Sequence, residues 1–153
     1  AGMRIVVVGA GGAARSVVEA LGRAGAGDLA VVNRTAARAA EAAVLGGPAA
    51  RTGSWDDVPR ADLVVNATSV GLGGSGLAIG ADLLRPGQVV ADLVYHPLET
   101  PLLAAARSIG ARAVDGLGML VHQAARQFLL WTGTAAPVAV MREAAEAELA
   151  RRG

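Results

Sequence analysis

Gly9-Ala10-Gly11-Gly12-Ala13-Ala14 stands directly after a short β-branched run, Arg4-Ile-Val-Val-Val8, and opens an apolar stripe at helical spacing: Ala14, Val17, Leu21 and Ala24. The three small residues at the first, third and sixth positions have separate uses. Gly9 permits a tight turn, Gly11 lets backbone approach a pyrophosphate, and Ala14 lets helix and strand pack closely. The start of the helix adds unpaired N–H groups and the positive end of its dipole. In that strand–turn–helix setting, Gly9, Ala10, Gly11, Gly12 and Ala13 are expected to hold the pyrophosphate of a dinucleotide.

The next strand, Leu29-Ala-Val-Val32, ends in Asn33-Arg34-Thr35, with Arg38 one helical turn beyond Arg34. An acidic residue there would bind a ribose 2′-hydroxyl and repel a 2′-phosphate. A guanidinium binds such a phosphate bidentately, and a Thr hydroxyl can add a donor. Arginines in the first turn of a helix oppose its dipole, so an anionic partner gives them a physical reason to be there. The plainer reading is a pair of solvated first-turn arginines. The first reading makes the cofactor NADP.

Strands and helices alternate along the chain. A second helix is expected over Ala36 to Leu45, a short third strand around Ala49 to Thr52, further strands at Leu63-Val-Val65 and Gln88-Val-Val-Ala-Asp92, a helix from Pro101 to Ile109, and an edge strand within Ala111 to Val114. A longer helix follows from Leu117 to Trp131, with Leu117, Leu120, Ala124, Phe128 and Trp131 on one face and Gly133 as its stop. Apolar strands without polar alternation are buried on both faces, the habit of a parallel sheet with helical crossovers. The expected fold is a Rossmann-type, doubly wound α/β domain over residues 3–133. A C-terminal amphipathic segment, 134–153, carries a stripe of Val138, Met141, Ala145 and Leu149 opposite Arg142, Glu143 and Glu146.

The 153 residues suit one domain, and 53% apolar composition with 21 Gly excludes a disordered chain. A net charge of +1 gives no electrostatic footprint for nucleic acid or an acidic membrane. All 14 basic residues are Arg, and there is no Cys. The latter removes thiolate chemistry and fits a reducing cytoplasm. Two His are too few for the usual clustered metal ligands, and no apolar run is long enough for a membrane span.

Later segments are more specific. Asn66-Ala-Thr-Ser-Val-Gly71, Asp92-Leu-Val-Tyr-His-Pro-Leu-Glu-Thr-Pro-Leu-Leu103 and Asp115-Gly-Leu-Gly-Met-Leu-Val-His-Gln-Ala124, together with GAGGAA and NRT, resemble the cofactor domain of the shikimate dehydrogenase family. The resemblance implies an oxidoreductase of aromatic amino acid biosynthesis that interconverts 3-dehydroshikimate and shikimate with NADP(H). It places Asn33, Arg34, Thr35 and Arg38 on the adenosine ribose phosphate, and Thr68 and Ser69 on the nicotinamide side. It gives backbone groups of Leu93 and Gly116 to the nicotinamide carboxamide, and sends Tyr95 and Gln123 toward the substrate. Where Leu93 stands the family often has Met, a change that preserves a backbone contact.

By pattern alone Tyr95 is a core residue with a satisfied hydroxyl, and Gln123 an exposed one. Asp92 and Asp115 read as turn caps, His96 and His122 as structural or solvated, and Trp55 and Trp131 as core or domain-boundary residues. No residue here is assigned to acid–base catalysis. The family's Lys–Asp pair and substrate-gripping Ser hydroxyls belong to a preceding domain, and this chain has no Lys. Arg4 already begins the first strand, and Ala1-Gly2 ahead of Met3 resembles the scar of a removed tag. The expectation is therefore the cofactor half of a two-domain enzyme, inactive alone, whose last helix lacks its partner and either pairs with a second copy or is poorly ordered. Alternatives are a quinate or aminoshikimate relative, a stand-alone NADP-binding module, and another Rossmann enzyme such as a glutamyl-tRNA reductase.

Overall fold

Ile5 to Val8 are all buried, so β1 (Arg4–Val8) cannot lie at a sheet edge or present one face to water. The computed structural model, which describes residues 2–152, places it at the centre of a six-stranded sheet in the order β3-β2-β1-β4-β5-β6. The other strands are β2 (Asp28–Val32), β3 (Ala50–Thr52), β4 (Leu63–Asn66), β5 (Val89–Asp92) and β6 (Arg112–Val114), and every pairing is parallel. This is the doubly wound arrangement expected from the sequence.

Alternate residues of the central strands feed two separate cores. Val6, Val8, Ala30, Val32, Val64 and Val90 pack with Leu102 and Ala106 of α3 (Pro101–Ser108) on one face. Ile5, Val7, Leu29, Val31 and Val65 pack with Ala14 and Val18 of α1 (Gly12–Arg23) and with Ala39, Ala42 and Ala43 of α2 (Ala36–Val44) on the other. Each buried Val or Leu contributes about 1.5–3 kcal/mol, so the two layers hold the sheet from both sides. The packing face of α2 is Ala39, Ala42 and Ala43, which lets its backbone lie close to the strands, whereas α1 adds Val17, Val18 and Leu21 to Ala14.

The chain ends in α4 (Leu117–Thr132) and α5 (Val138–Arg152), which pack against each other. Here two expectations are corrected. The stripe Val138, Met141, Ala145 and Leu149 is half-buried rather than bare, because α4 lies beside α5 in the same chain. Trp131, expected in the core or at a domain boundary, is 81% exposed and so not in the core. Leu117 and Val121 of this helix are buried, Leu120, Ala124 and Phe128 half-buried, and its companion is α5. No helix among the described residues is long and apolar enough to cross a membrane.

A 3-10 segment that the sequence pattern does not announce, Trp55–Arg60, follows β3. Ser54 and Asp57 form its capping box: the Ser54 hydroxyl accepts from the Asp56 N–H at 3.3 Å, and Asp57 Oδ2 accepts from the Ser54 N–H at 2.8 Å. Arg51 of β3 ties this turn to β2. Its guanidinium donates to both carboxylate oxygens of Asp28, each at 2.9 Å, and to those of Asp57 at 2.8 and 3.2 Å. The Arg51 hydrogen bonds hold the Asp57 carboxyl below the usual carboxylate range.

A depressed native value adds stability that is complete above about pH 5 and is lost as the pH falls through that value. Arg51→Ala should therefore lower the unfolding free energy by about 1 kcal/mol at neutral pH. The gap to the parent should narrow in acid. Urea titrations from pH 7 to pH 2 measure this; a gap independent of pH would contradict the assignment.

Candidate functional site

At the carboxyl ends of β1 and β4 the backbone itself shapes the crevice. Gly9 has φ +117°, and a Cβ there would come within 2.9 Å of the Ala67 carbonyl oxygen and 3.2 Å of Thr68 Cγ2. No other residue suits that conformation and that contact together. The Gly9 N–H donates to the Val32 carbonyl and the Ala67 N–H to the Val8 carbonyl, both at 2.8 Å, which fixes the first turn between its two neighbouring strands. Gly11 is the N-cap of α1 and Ala14 is fully buried beneath it. A Cβ on Gly11 or Gly12 would meet nothing within 4 Å, so the helix start opens onto free space.

The end of β2 supplies charge. Asn33 Nδ2 donates to the Thr35 carbonyl at 3.0 Å, shaping the turn into α2, whereas the Thr35 hydroxyl is not spent on capping that helix. Arg34, Thr35 and Arg38 are exposed, and neither arginine has a carboxylate within 4 Å among the described residues. All three line a cleft of about 330 Å³ together with Gly9, Asn33 and Thr68. Its lining holds two guanidinium groups and no carboxylate, which favours an anion. A wider depression of about 670 Å³ is lined by Arg51 and Asp57, which are paired with each other, and by Asp56 and Arg60, a balance of charge that favours no anion.

Behind the crevice lies a buried polar network that sequence reasoning missed. Asp92, 1% exposed, has no cation within 4 Å among the described residues. Its Oδ1 accepts from Asn66 Nδ2 at 2.9 Å and from the Val94 N–H at 3.0 Å, and its Oδ2 from the Thr100 hydroxyl at 2.7 Å. Asn66 Oδ1 in turn accepts from the Thr68 N–H at 3.0 Å and the Thr68 hydroxyl at 2.7 Å, while its Nδ2 also donates to the Val70 carbonyl. Thr100 caps α3 by accepting from the Leu103 N–H at 3.3 Å. One carboxylate thus ties together the loop after β4, the turn after β5 and the start of α3. A polar residue closing an apolar strand, as Asn66 and Asp92 both do, was the available signal.

Leu93 and Gly116 are brought together: a Cβ on Gly116 would stand 2.5 Å from the Leu93 carbonyl oxygen. Tyr95 is 40% exposed and not a core residue; Ser69 and Gln123 are exposed as well. Asp115 Oδ1 accepts from the Leu117 N–H at 3.0 Å, the turn-capping role expected of it. His122 borders a separate cavity between α4 and α5, and His96 is half-buried. No group of three or more His, Cys, Asp or Glu among the described residues could hold a metal ion. Trp55 is neither in the core nor at the end of the domain: it is 45% exposed and lines the cleft beside Arg34 and Arg38.

Residues 1–71 match the family model described as shikimate / quinate 5-dehydrogenase, and residues 116–146 match that of the shikimate 5′-dehydrogenase C-terminal domain. A shikimate dehydrogenase (NADP(+)) from Moorella thermoacetica is 50% identical over 92% of this chain and 52% of its own length. Among solved structures, shikimate 5-dehydrogenase from Thermus thermophilus, in complex with NADP(H) and shikimate, aligns with TM-score 0.86 and 40% identity over 95% of this chain and 55% of that one. Quinate dehydrogenase from Corynebacterium glutamicum, in complex with NAD, aligns with TM-score 0.84 and 38% identity over 91% and 53% respectively. The chain spans about half the length of the curated relatives it matches.

Removing Asn66 would strip Asp92 of a donor and release Thr68. Asn66→Ala should cost about 2–3 kcal/mol of stability, the scale for leaving buried polar groups unsatisfied. It should also loosen the loop that lines the cleft. Urea unfolding, with hydrogen exchange of the Thr68 and Val70 amides, measures both effects; parent-like protection of those amides would contradict the role given to Asn66.

Proposed function

Because the chain belongs to the shikimate dehydrogenase family, we propose that its cleft binds NADP(H) and that it serves as the cofactor half of an oxidoreductase interconverting 3-dehydroshikimate and shikimate. The observation that carries the reading is the pair Arg34 and Arg38, unmatched by any carboxylate among the described residues, in a cleft that also offers the Thr35 side chain. Their guanidinium forks and the Thr35 hydroxyl would hold the 2′-phosphate. Gly9 to Ala13 would hold the pyrophosphate at the start of α1. Thr68 and Ser69, in the loop after β4, would line the nicotinamide side, while backbone groups of Leu93 and Gly116 would orient the nicotinamide carboxamide.

The chemistry such a nucleotide supplies when bound is hydride exchange with a ketone or secondary alcohol. Tyr95 and Gln123 are assigned to one wall of the substrate site. With no Lys among the 153 residues, the reading gives the proton-handling group to a separate substrate domain. The exposed Leu130 and Trp131 at the end of α4, and the outer side of α5, would face that domain. A cytoplasmic setting, in keeping with a Cys-free chain, belongs to the same reading.

Charge-assisted hydrogen bonds are worth about 1.5–3 kcal/mol each, so NADP should bind at least about tenfold more tightly than NAD. Calorimetric titration with both nucleotides measures the ratio; Arg34→Ala should collapse it, and equal affinities in the parent would overturn the cofactor assignment. The 153 residues alone should bind NADPH yet show no NADPH formation with millimolar shikimate, since general acid–base assistance alone contributes about 10²–10⁴-fold. Turnover by this chain, abolished by Tyr95→Phe, would move the acid–base group to Tyr95.

A further inference from the structure

Trp55 is a large apolar side chain left 45% exposed, in neither of the two cores, at the first position of a turn that is otherwise held firmly in place. The capping box of Ser54 and Asp57 and the Arg51 ties to Asp57 and Asp28 anchor that turn on β2 and β3. An anchored turn that presents its indole to a cleft rather than to the core points to a ligand. The cleft places Trp55 with Arg34 and Arg38, and adds the apolar side chains of Val32, Val70 and Ala78.

Strand order says which part of a ligand lies there. Trp55 follows β3, which borders β2, and so stands at the opposite end of the sheet from β5 and β6, where Leu93, Tyr95 and Gly116 are found. A planar base attached to a phosphorylated ribose matches this mixture of one indole, an apolar floor and two guanidinium groups. We propose that Trp55 is the aromatic wall of the base subsite, stacking on the adenine whose ribose 2′-phosphate is held by Arg34 and Arg38. The proposal rests on the NADP reading and goes beyond it by naming what holds the base. Stacking against an indole adds affinity for any purine face and makes Trp55 a reporter of binding.

The test uses adenosine 2′,5′-bisphosphate, which carries the base and the 2′-phosphate without the nicotinamide. In a Trp131→Phe protein Trp55 is the one remaining indole, and the bisphosphate should quench its fluorescence saturably. By calorimetry, Trp55→Ala should weaken bisphosphate binding about fivefold or more, and Trp55→Phe should restore most of it. Unquenched Trp55 fluorescence, or parent-like affinity in Trp55→Ala while Arg34→Ala still weakens binding, overturns the Trp55 assignment and leaves the NADP reading intact. Failure of the parent to bind the bisphosphate, or indifference to Arg34→Ala, overturns the NADP reading and the Trp55 assignment with it. Should Trp55→Ala not fold, the quench in Trp131→Phe and the Trp55→Phe affinity decide.

Discussion

The approach of Gly9 to the Ala67 carbonyl is the constraint on which the rest of the crevice depends. Strand order reverses at β1, so the chain leaving β1 and the chain leaving β4 turn toward opposite faces of the sheet, and a gap opens between them. That gap is useful only if the two turns come close without filling it. A positive φ and a missing Cβ at Gly9 achieve this. The same turn aims the free N–H groups of α1 into the gap and lets Ala14 settle against the strand.

A second constraint works from behind. Asp92 is a buried carboxylate satisfied by neutral donors, from Asn66, Val94 and Thr100. Isolated buried charge is costly, and complete hydrogen bonding is what makes it tolerable. Because its donors come from three different segments, satisfying it forces the β4 loop, the β5 turn and the start of α3 into one arrangement. The crevice is thus shaped in front by the absence of a side chain and fixed behind by a fully used one. The cleft's arginines need neither device: they stand in solvent, unmatched and available.

Local pattern made much of this legible. β-branched runs located the strands, and Gly and Pro located the stops. Of the spacing Gly9, Gly11, Ala14 and the group Asn33, Arg34, Thr35, Arg38, the fold brings Gly9 and the whole second group to one cleft, while Ala14 is buried against the strands. What stayed hidden depends on contacts distant in sequence. Asn66 and Thr100 are 26 and 8 residues from Asp92, and nothing local marks them as its partners. The turn at Trp55–Arg60 owes its position to Arg51, which holds Asp57 from the neighbouring strand, so in isolation Trp55 read as a core or domain-boundary residue. The expected face of α4 holds from Leu117 through Leu120 and Ala124 to Phe128, all buried or half-buried; periodicity could not show that the last turn, with Trp131, stands in solvent.

The central claim is that a nucleotide lies across the carboxyl ends of β1, β2, β4 and β5. Amide chemical-shift mapping of the labelled chain titrated with NADP tests it most directly. The account predicts shifts clustered at residues 9–14, 33–38, 66–70 and 93–95 and at Gly116, with α5 unmoved. Shifts confined to α4 and α5, or to the Arg51 depression, or none at saturating nucleotide, would contradict it.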